Sequence, residues 1–243
     1  MARSTLTRPL PRPPYRRPLL AVAVAALLPV LVACGGGSSS TTGGSPASPD
    51  QGSSGSGVSC NYPDAPQGKT GDATKPPSTP DVSGKVAVTM QTNVGAIAAT
   101  LDADKAPCTV NSFVSLAKQG YFDNSPCHRL TTIQIYVLQC GDPTGTGTGG
   151  PGYTIPDELS PQDTYGPGTV AMAKTQAPNS GGSQFFLVYR SSPLPPDYTV
   201  FGQLDRAGLK ILKQVAKQGS DNATAQGDGH PRQAVTIQSV SVG

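Results

Sequence analysis

About a third of this 243-residue chain cannot build a core, and that limits what the rest can fold into. From Gly35 to about Pro80 the residues are mostly Gly, Ser, Thr and Pro, with too few large apolar side chains to offset the entropy of ordering. Gly35-Gly36-Gly37 followed by Ser38 to Thr42 reads as flexible coil, and Lys75-Pro76-Pro77 as a stiffer, polyproline-like end. Lys85 to Gly243 remains, the size of one ordinary domain, so a single core is expected there.

The amino-terminal end reads as an export signal. A basic, Pro-rich stretch ends at Arg16-Arg17, and an apolar run from Leu19 to Val32 follows it. Fourteen residues interrupted by Pro29 are short for a spanning helix, which needs about 20. The run closes as Leu31-Val32-Ala33-Cys34-Gly35, which resembles the lipobox of bacterial lipoproteins. The resemblance implies that Cys34 receives diacylglycerol and becomes the new amino terminus. Two acyl chains suffice for stable membrane attachment where one is marginal. The expected organisation is a signal peptide over 1–33, a lipid-anchored tether over 34–84 and a folded domain over 85–243, held at the extracytoplasmic face of the cell membrane. A flexible coil of some 45 residues spans roughly 35–40 Å.

Charge supports that division. The formal charge is +3, yet five of the 18 Lys and Arg lie before Cys34, where there is no acid. From Cys34 onward 13 basic residues face 15 acidic ones, a net of −2, which is not the electrostatic footprint of a nucleic-acid partner.

Within the domain, Val86–Met90 and Ala96–Leu101 read as strands joined by a turn at Thr92–Gly95. Pro107 to Gln119 is the strongest helix, with Val110, Phe113, Val114 and Ala117 on one apolar face and Gly120 at its end. Further strands are expected at Cys127–Thr132, Tyr136–Cys140, Thr169–Ala173, Gln184–Tyr189, Val200–Leu204 and Ala234–Val242. A second helix is expected at Leu209–Lys217, with Leu209, Leu212, Val215 and Ala216 inward. Many short strands with two helices argue a barrel or sandwich capped by helices.

Four blocks in order carry a family resemblance: Cys127-His128-Arg129; Tyr136 to Pro143 leading into the glycine-rich Thr144 to Gly150; Gly168 to Ala173 followed by Asn179 to Phe186; and Leu194 to Gly202. Together they resemble the cyclophilin-type peptidyl-prolyl cis-trans isomerases over nearly all of Lys85 to Gly243. The resemblance implies a mainly β fold, a closed eight-stranded antiparallel barrel capped by two helices. It also implies catalysis of rotation about X-Pro bonds in exported polypeptides, by a monomer that needs no cofactor and no metal.

Amide resonance makes that rotation slow, and no bond need break to speed it. The catalyst must bind the twisted amide better than either planar form. By resemblance Arg129 is the catalytic cation, donating to the prolyl nitrogen as it regains its lone pair, with the rigid donor fork of a guanidinium. Gln139 is expected on the substrate backbone, with His128 beside it. Ala173 and the backbone of Lys174 hold the extended peptide, and Gln184 lines the same groove. Tyr136, Met172, Phe186, Leu194 and Tyr198 are expected to form the apolar pocket for proline. The segment Leu130 to Leu138 is two residues longer than is usual in the family. It keeps open a different class, a non-catalytic proline-peptide-binding or chaperone lipoprotein.

Other motifs fall away. Gly145 to Gly152 lacks the Gly-Lys-Ser/Thr of a phosphate-binding loop, and Cys108, Cys127, His128 and Cys140 lack the close spacing of a zinc knuckle. Four cysteines remain after Cys34, an even number in an exported chain, which favours disulfides. Three pairings are possible. The expected neighbouring strands favour Cys127 with Cys140, leaving Cys60 with Cys108.

Overall fold

A computed structural model describes residues 57–65 and 68–243; the expected signal peptide, Cys34 and the tether up to residue 56 lie outside the described residues. The first half of the fold runs β1 (Lys85–Thr92), β2 (Gly95–Asp102), α1 (Pro107–Lys118), β3 (Ser125–Pro126), β4 (Arg129–Thr131) and β5 (Val137–Cys140). The second runs β6 (Thr169–Met172), β7 (Phe185–Val188), β8 (Val200–Leu204), α2 (Arg206–Lys217), β9 (Asp228–Gly229) and β10 (Thr236–Val242). The fold is mainly β: one ten-stranded antiparallel sheet, ordered β3-β10-β1-β2-β8-β6-β7-β5-β4-β9, with two helices. This differs from the expected eight strands by β3 and β9, whose two residues each are too few to show any alternation.

Side chains alternate across the sheet with period two. On β7, Phe185 and Leu187 enter the main core while Phe186 and Val188 form a second, smaller apolar cluster with Val137, Tyr165 and Ala171. On β6, Val170 and Met172 point to the main core and Ala171 to the second cluster. Helix α1 packs into the main core through Val110, Phe113, Val114 and Ala117, and Phe113 meets Phe122, Phe185 and Phe201 at ring-centroid distances of 5.0, 5.3 and 5.7 Å.

Helix α1 has Pro107 at its start and no capping side chain next to it in sequence. The carboxylate of Glu158, fifty residues on, accepts from the N–H groups of Cys108 and Thr109 at 2.9 Å each, satisfying donors that would otherwise be orphaned. Helix α2 begins at Arg206 rather than Leu209. Asp205 caps it by accepting from the Gly208 N–H, and Gly208 lies so close to β2 that a Cβ there would sit 3.2 Å from the Ala98 carbonyl.

The expected tether is too long. The described residues 57–65 and 68–84 pack against the domain, so its amino-terminal boundary is not Lys85. Cys60 and Tyr62 are buried, and Cys60 is bonded to Cys108. The Tyr62 hydroxyl donates to the Cys108 carbonyl, and Asn111 of α1 donates to the Tyr62 hydroxyl and the Pro77 carbonyl and accepts from the Asp81 N–H. This strap covers the outer side of α1. The helix is therefore buried at Asn111 as well as along its apolar face. Composition missed the strap because its order comes from bonds to the domain, not from a core of its own. The second disulfide joins Cys127 to Cys140, so the favoured pairing is the one formed.

Candidate active site

One register row carries the polar and apolar halves of the site. Across four adjacent strands Arg129 pairs with Gln139, Gln139 with Phe186, and Phe186 with Ala171. Directly paired residues share a face, so the guanidinium, the amide and the aromatic ring lie side by side on one face of the sheet. The two extra residues of the Leu130–Leu138 segment are absorbed in the turn at Thr132–Tyr136, where Gln134 has φ +64°, and the Arg129–Gln139 register is kept.

Beside this row is a hollow of about 150 Å³ lined by Arg129, Gln139, Val137 and Phe186, with Ile135, Leu194 and Tyr198 among the rest of its wall. The Phe186 and Tyr198 rings meet edge to face at 5.4 Å, and the Tyr165 hydroxyl holds Tyr198 by donating to its carbonyl and accepting from its N–H at 2.9 Å each. A larger hollow of about 400 Å³ adjoins it and shares Gln139, Ala173 and Lys174. Gln184, Gly147 to Thr154 and Ala65 of the strap line this second hollow. Lys174 has no backbone hydrogen bond among the described residues. Its ammonium lies 3.2 Å from Asp197 and 3.8 Å from Asp157.

The polar groups form a directed chain. Asp228 accepts from Arg129 Nε at 2.8 Å and Nη2 at 2.7 Å. Arg129 Nη1 donates to the Gln139 carbonyl oxygen at 3.4 Å, and the Gln139 amide nitrogen donates to Gln184 at 2.8 Å. Gln184 in turn donates to the carbonyls of Gly147 and Gly149. Asp142 anchors the glycine-rich loop from beneath, its Oδ2 accepting from the N–H groups of Gly147 at 2.7 Å and Gly149 at 3.0 Å. Burial pushes the Asp142 carboxyl up, but hydrogen bonds from Thr144, Gly149 and Gly147 outweigh it and hold it below its usual value. The hydrogen bond to Asp228 raises Arg129 above its ordinary value, against the opposing effect of burial.

Of the residues expected from sequence, Arg129, Gln139, Ala173, Lys174, Phe186, Leu194 and Tyr198 surround the first hollow, and Gln184 joins the second. Three expected contacts lie elsewhere. Met172 is buried in the main core, because neighbours on a strand face opposite ways and Ala173 takes the outward position. Tyr136 packs on Tyr189 at 5.9 Å with the Arg190 guanidinium over its ring; Val137, in phase with Gln139, and Ile135 line the hollow instead. His128 is buried beneath Gly147 and lines neither hollow. The sequence reading also missed Asp228 and Glu158, which stand in no motif that their neighbours reveal, and it gave no role to Asp142, which lies inside the second block. For Val137 the strand period was a sufficient signal.

A shallow hollow with an aromatic and aliphatic wall, flanked by the Arg129 guanidinium and the Gln139 amide, has the shape and the hydrogen-bonding groups to hold an extended peptide. A family model described as cyclophilin-type peptidyl-prolyl cis-trans isomerase matches residues 87–242. The chain belongs to that family. It is similar to the probable peptidyl-prolyl cis-trans isomerase B of Mycobacterium tuberculosis, 46% identical over 212 residues that cover 80% of this chain and 67% of that protein. The Mycobacterium leprae protein of the same description is 46% identical over 201 residues, covering 76% of this chain and 66% of that one. The chain thus spans about two thirds of the length of these relatives. Among solved structures, a cyclophilin-type isomerase from Cryptosporidium parvum superposes with a TM-score of 0.58 at 31% identity, covering 65% of this chain and 98% of that one. The same protein, crystallised in the presence of the dipeptide Ala-Pro, gives a TM-score of 0.57.

Proposed function

We propose that this chain accelerates cis-trans rotation about X-Pro bonds in exported polypeptides by stabilising the twisted amide, with no covalent step. The observation that carries this reading is the convergence of Arg129, Gln139 and Phe186 on one hollow. The proline ring fits the apolar end formed by Phe186, Val137 and Leu194, and the peptide backbone runs past Gln139 and Lys174. A guanidinium has five N–H donors. Asp228 uses two and Gln139 one, which leaves one on Nη1 and one on Nη2 for the substrate. Donation to the prolyl nitrogen is useful only once conjugation is broken and the lone pair returns. The interaction is therefore stronger in the transition state than in either planar form. Its supports are the family membership, the crystallisation of the Cryptosporidium relative with Ala-Pro, and this hollow.

The barrel is read as closed through residues 125–131. β3 pairs with β10, β4 pairs with β5, and only two residues separate β3 from β4, so one stretch of chain reaches both ends of the sheet. Attachment through a lipidated Cys34 to the extracytoplasmic face of the membrane rests on the Leu31–Gly35 motif; no described helix is long and apolar enough to cross a membrane. Each site is completed within one chain, as a monomer requires. Loss of fatty-acid labelling in Cys34→Ala is the expected result for the anchor.

Protease-coupled isomerisation of an Ala-Pro peptide tests the activity. Arg129→Ala is expected to lower kcat/KM on the order of 10²–10³-fold, the usual loss when one preorganised donor is removed. Equal rates for the two proteins would remove Arg129 from the mechanism. Peptide binding without any rate enhancement would make the protein a binding module.

A further inference from the structure

The segment between α2 and β10 belongs to none of the four sequence blocks, yet it delivers a carboxylate to Arg129. Its only sheet residues, Asp228 and Gly229 of β9, pair with Thr131 and Leu130 of β4, which sets Asp228 alongside the guanidinium. Both carboxylate oxygens are used, one on Nε at 2.8 Å and one on Nη2 at 2.7 Å, the bidentate geometry that fixes both the plane and the rotation of an Arg.

The loop is built to hold that geometry. Asp221 Oδ1 accepts from the N–H groups of Ala223 and His230, and its Oδ2 meets His230 Nδ1 at 2.9 Å. Asn222, at φ +62°, accepts from the Gly227 N–H at 2.8 Å. The Gly227 carbonyl accepts from the Thr132 N–H at 2.7 Å, tying the loop to the end of β4. A Cβ on Gly229 would lie 2.1 Å from Asp221 Oδ1, so only glycine fits the turn behind Asp228.

We propose that Asp228 is a positioning residue for catalysis: it holds the Arg129 guanidinium in one orientation before substrate arrives, and the Ser220–Pro231 loop is the scaffold that presents it. This rests on the role proposed above for Arg129. Asp228 lines neither hollow, so it acts through Arg129 and not on substrate. With the Arg129 side chain 39% exposed, the ion pair adds little to stability. Its effect is on geometry, since a long side chain otherwise samples many rotamers. A competing effect has the opposite sign. A carboxylate beside the guanidinium also weakens its pull on a developing lone pair, so removing it would speed the reaction if field strength outweighed orientation.

Exchange spectroscopy on an Ala-Pro peptide gives kcat and KM separately for the wild type, Asp228→Asn, Asp228→Glu and Arg129→Ala. Asp228→Asn is nearly isosteric and is expected to lower kcat on the order of ten- to a hundredfold, as misplacement of a reacting group does, with KM within about twofold and Tm nearly unchanged. Asp228→Glu should recover part of the loss. The Nε–Hε resonance of Arg129 in the wild type should exchange slowly with solvent, and in Asp228→Asn it should exchange fast. Fast exchange in the wild type, or a kcat in Asp228→Asn equal to or above the wild type while Arg129→Ala is impaired, overturns the positioning role. Full activity in Arg129→Ala instead overturns the function of Arg129 itself.

Discussion

His128 is only 9% exposed, and neither ring nitrogen has a hydrogen-bond partner among the described residues. Burial is the largest influence and pushes its pKa below the ordinary value of 6.5, although Asp142 acts in the other direction. In the unfolded chain the ring titrates near 6.5, so below that pH the unfolded state binds the extra proton more readily. The stability linked to His128 is therefore complete above about pH 6.5 and is lost as pH falls through the lower folded value. Denaturant midpoints should drop between pH 7.5 and pH 5, and His128→Phe should flatten that slope; an unchanged slope would exclude His128 as its source. The isomerisation rate has no such dependence. Arg129 is charged throughout and the mechanism moves no proton, so the rate should be nearly flat from about pH 6 to 8. A bell-shaped profile would contradict the mechanism.

The glycine-rich loop depends on Asp142 in the way a helix depends on its cap. Gly149 approaches so closely that a Cβ would lie 2.0 Å from Asp142 Oδ1, and Gly145 and Gly147 take φ of +69° and +81°, so the glycines are there for backbone reasons. Asp142→Asn would turn an NH2 group towards the N–H donors of Gly147 and Gly149 or, in the flipped rotamer, towards that of Thr144. The loss is expected to be about 1–3 kcal/mol, the range for a buried polar group left unsatisfied, and thermal denaturation would measure it. The same change frees the carbonyls that orient Gln184, so KM should rise while a short peptide that does not reach the second hollow is unaffected. Strand periodicity made most of this face legible in the sequence. With Gln139 outward, Val137 had to be outward and Tyr136 inward, and with Ala173 outward, Met172 had to be core. Matching motifs position by position overrode the alternation and misplaced both aromatic and thioether side chains. Contacts such as Glu158 on α1, or Asp228 on Arg129, join residues 49 to 99 apart, and no local pattern announces them.

At the scale of the whole molecule, the strap joins two features that the sequence kept apart, a low-complexity lead-in and a catalytic domain. An even number of cysteines after Cys34, with one of them at position 60, already argued against a free tether as far as Lys85, because a disulfide there pins the segment. The strap is bonded to α1 through Cys60, and the N–H of its Ala65, which lines the second hollow, donates to the Gly152 carbonyl at 2.9 Å. It therefore links the disulfide at α1 to the wall of the second hollow. Cys60 and Cys108 close a loop with a sequence separation of 48, for which chain entropy predicts about 4 kcal/mol of stabilisation. Cys60→Ser with Cys108→Ser should lower stability by up to that amount. A chain beginning at Lys85 should lose more, because it also uncovers Asn111 of α1, which is buried in the intact protein. If the strap is a wall of the second hollow, the chain beginning at Lys85 should bind long peptides less well than one beginning at Gly57, with little change for Ala-Pro itself. Parallel losses for both substrates would assign the strap to stability alone.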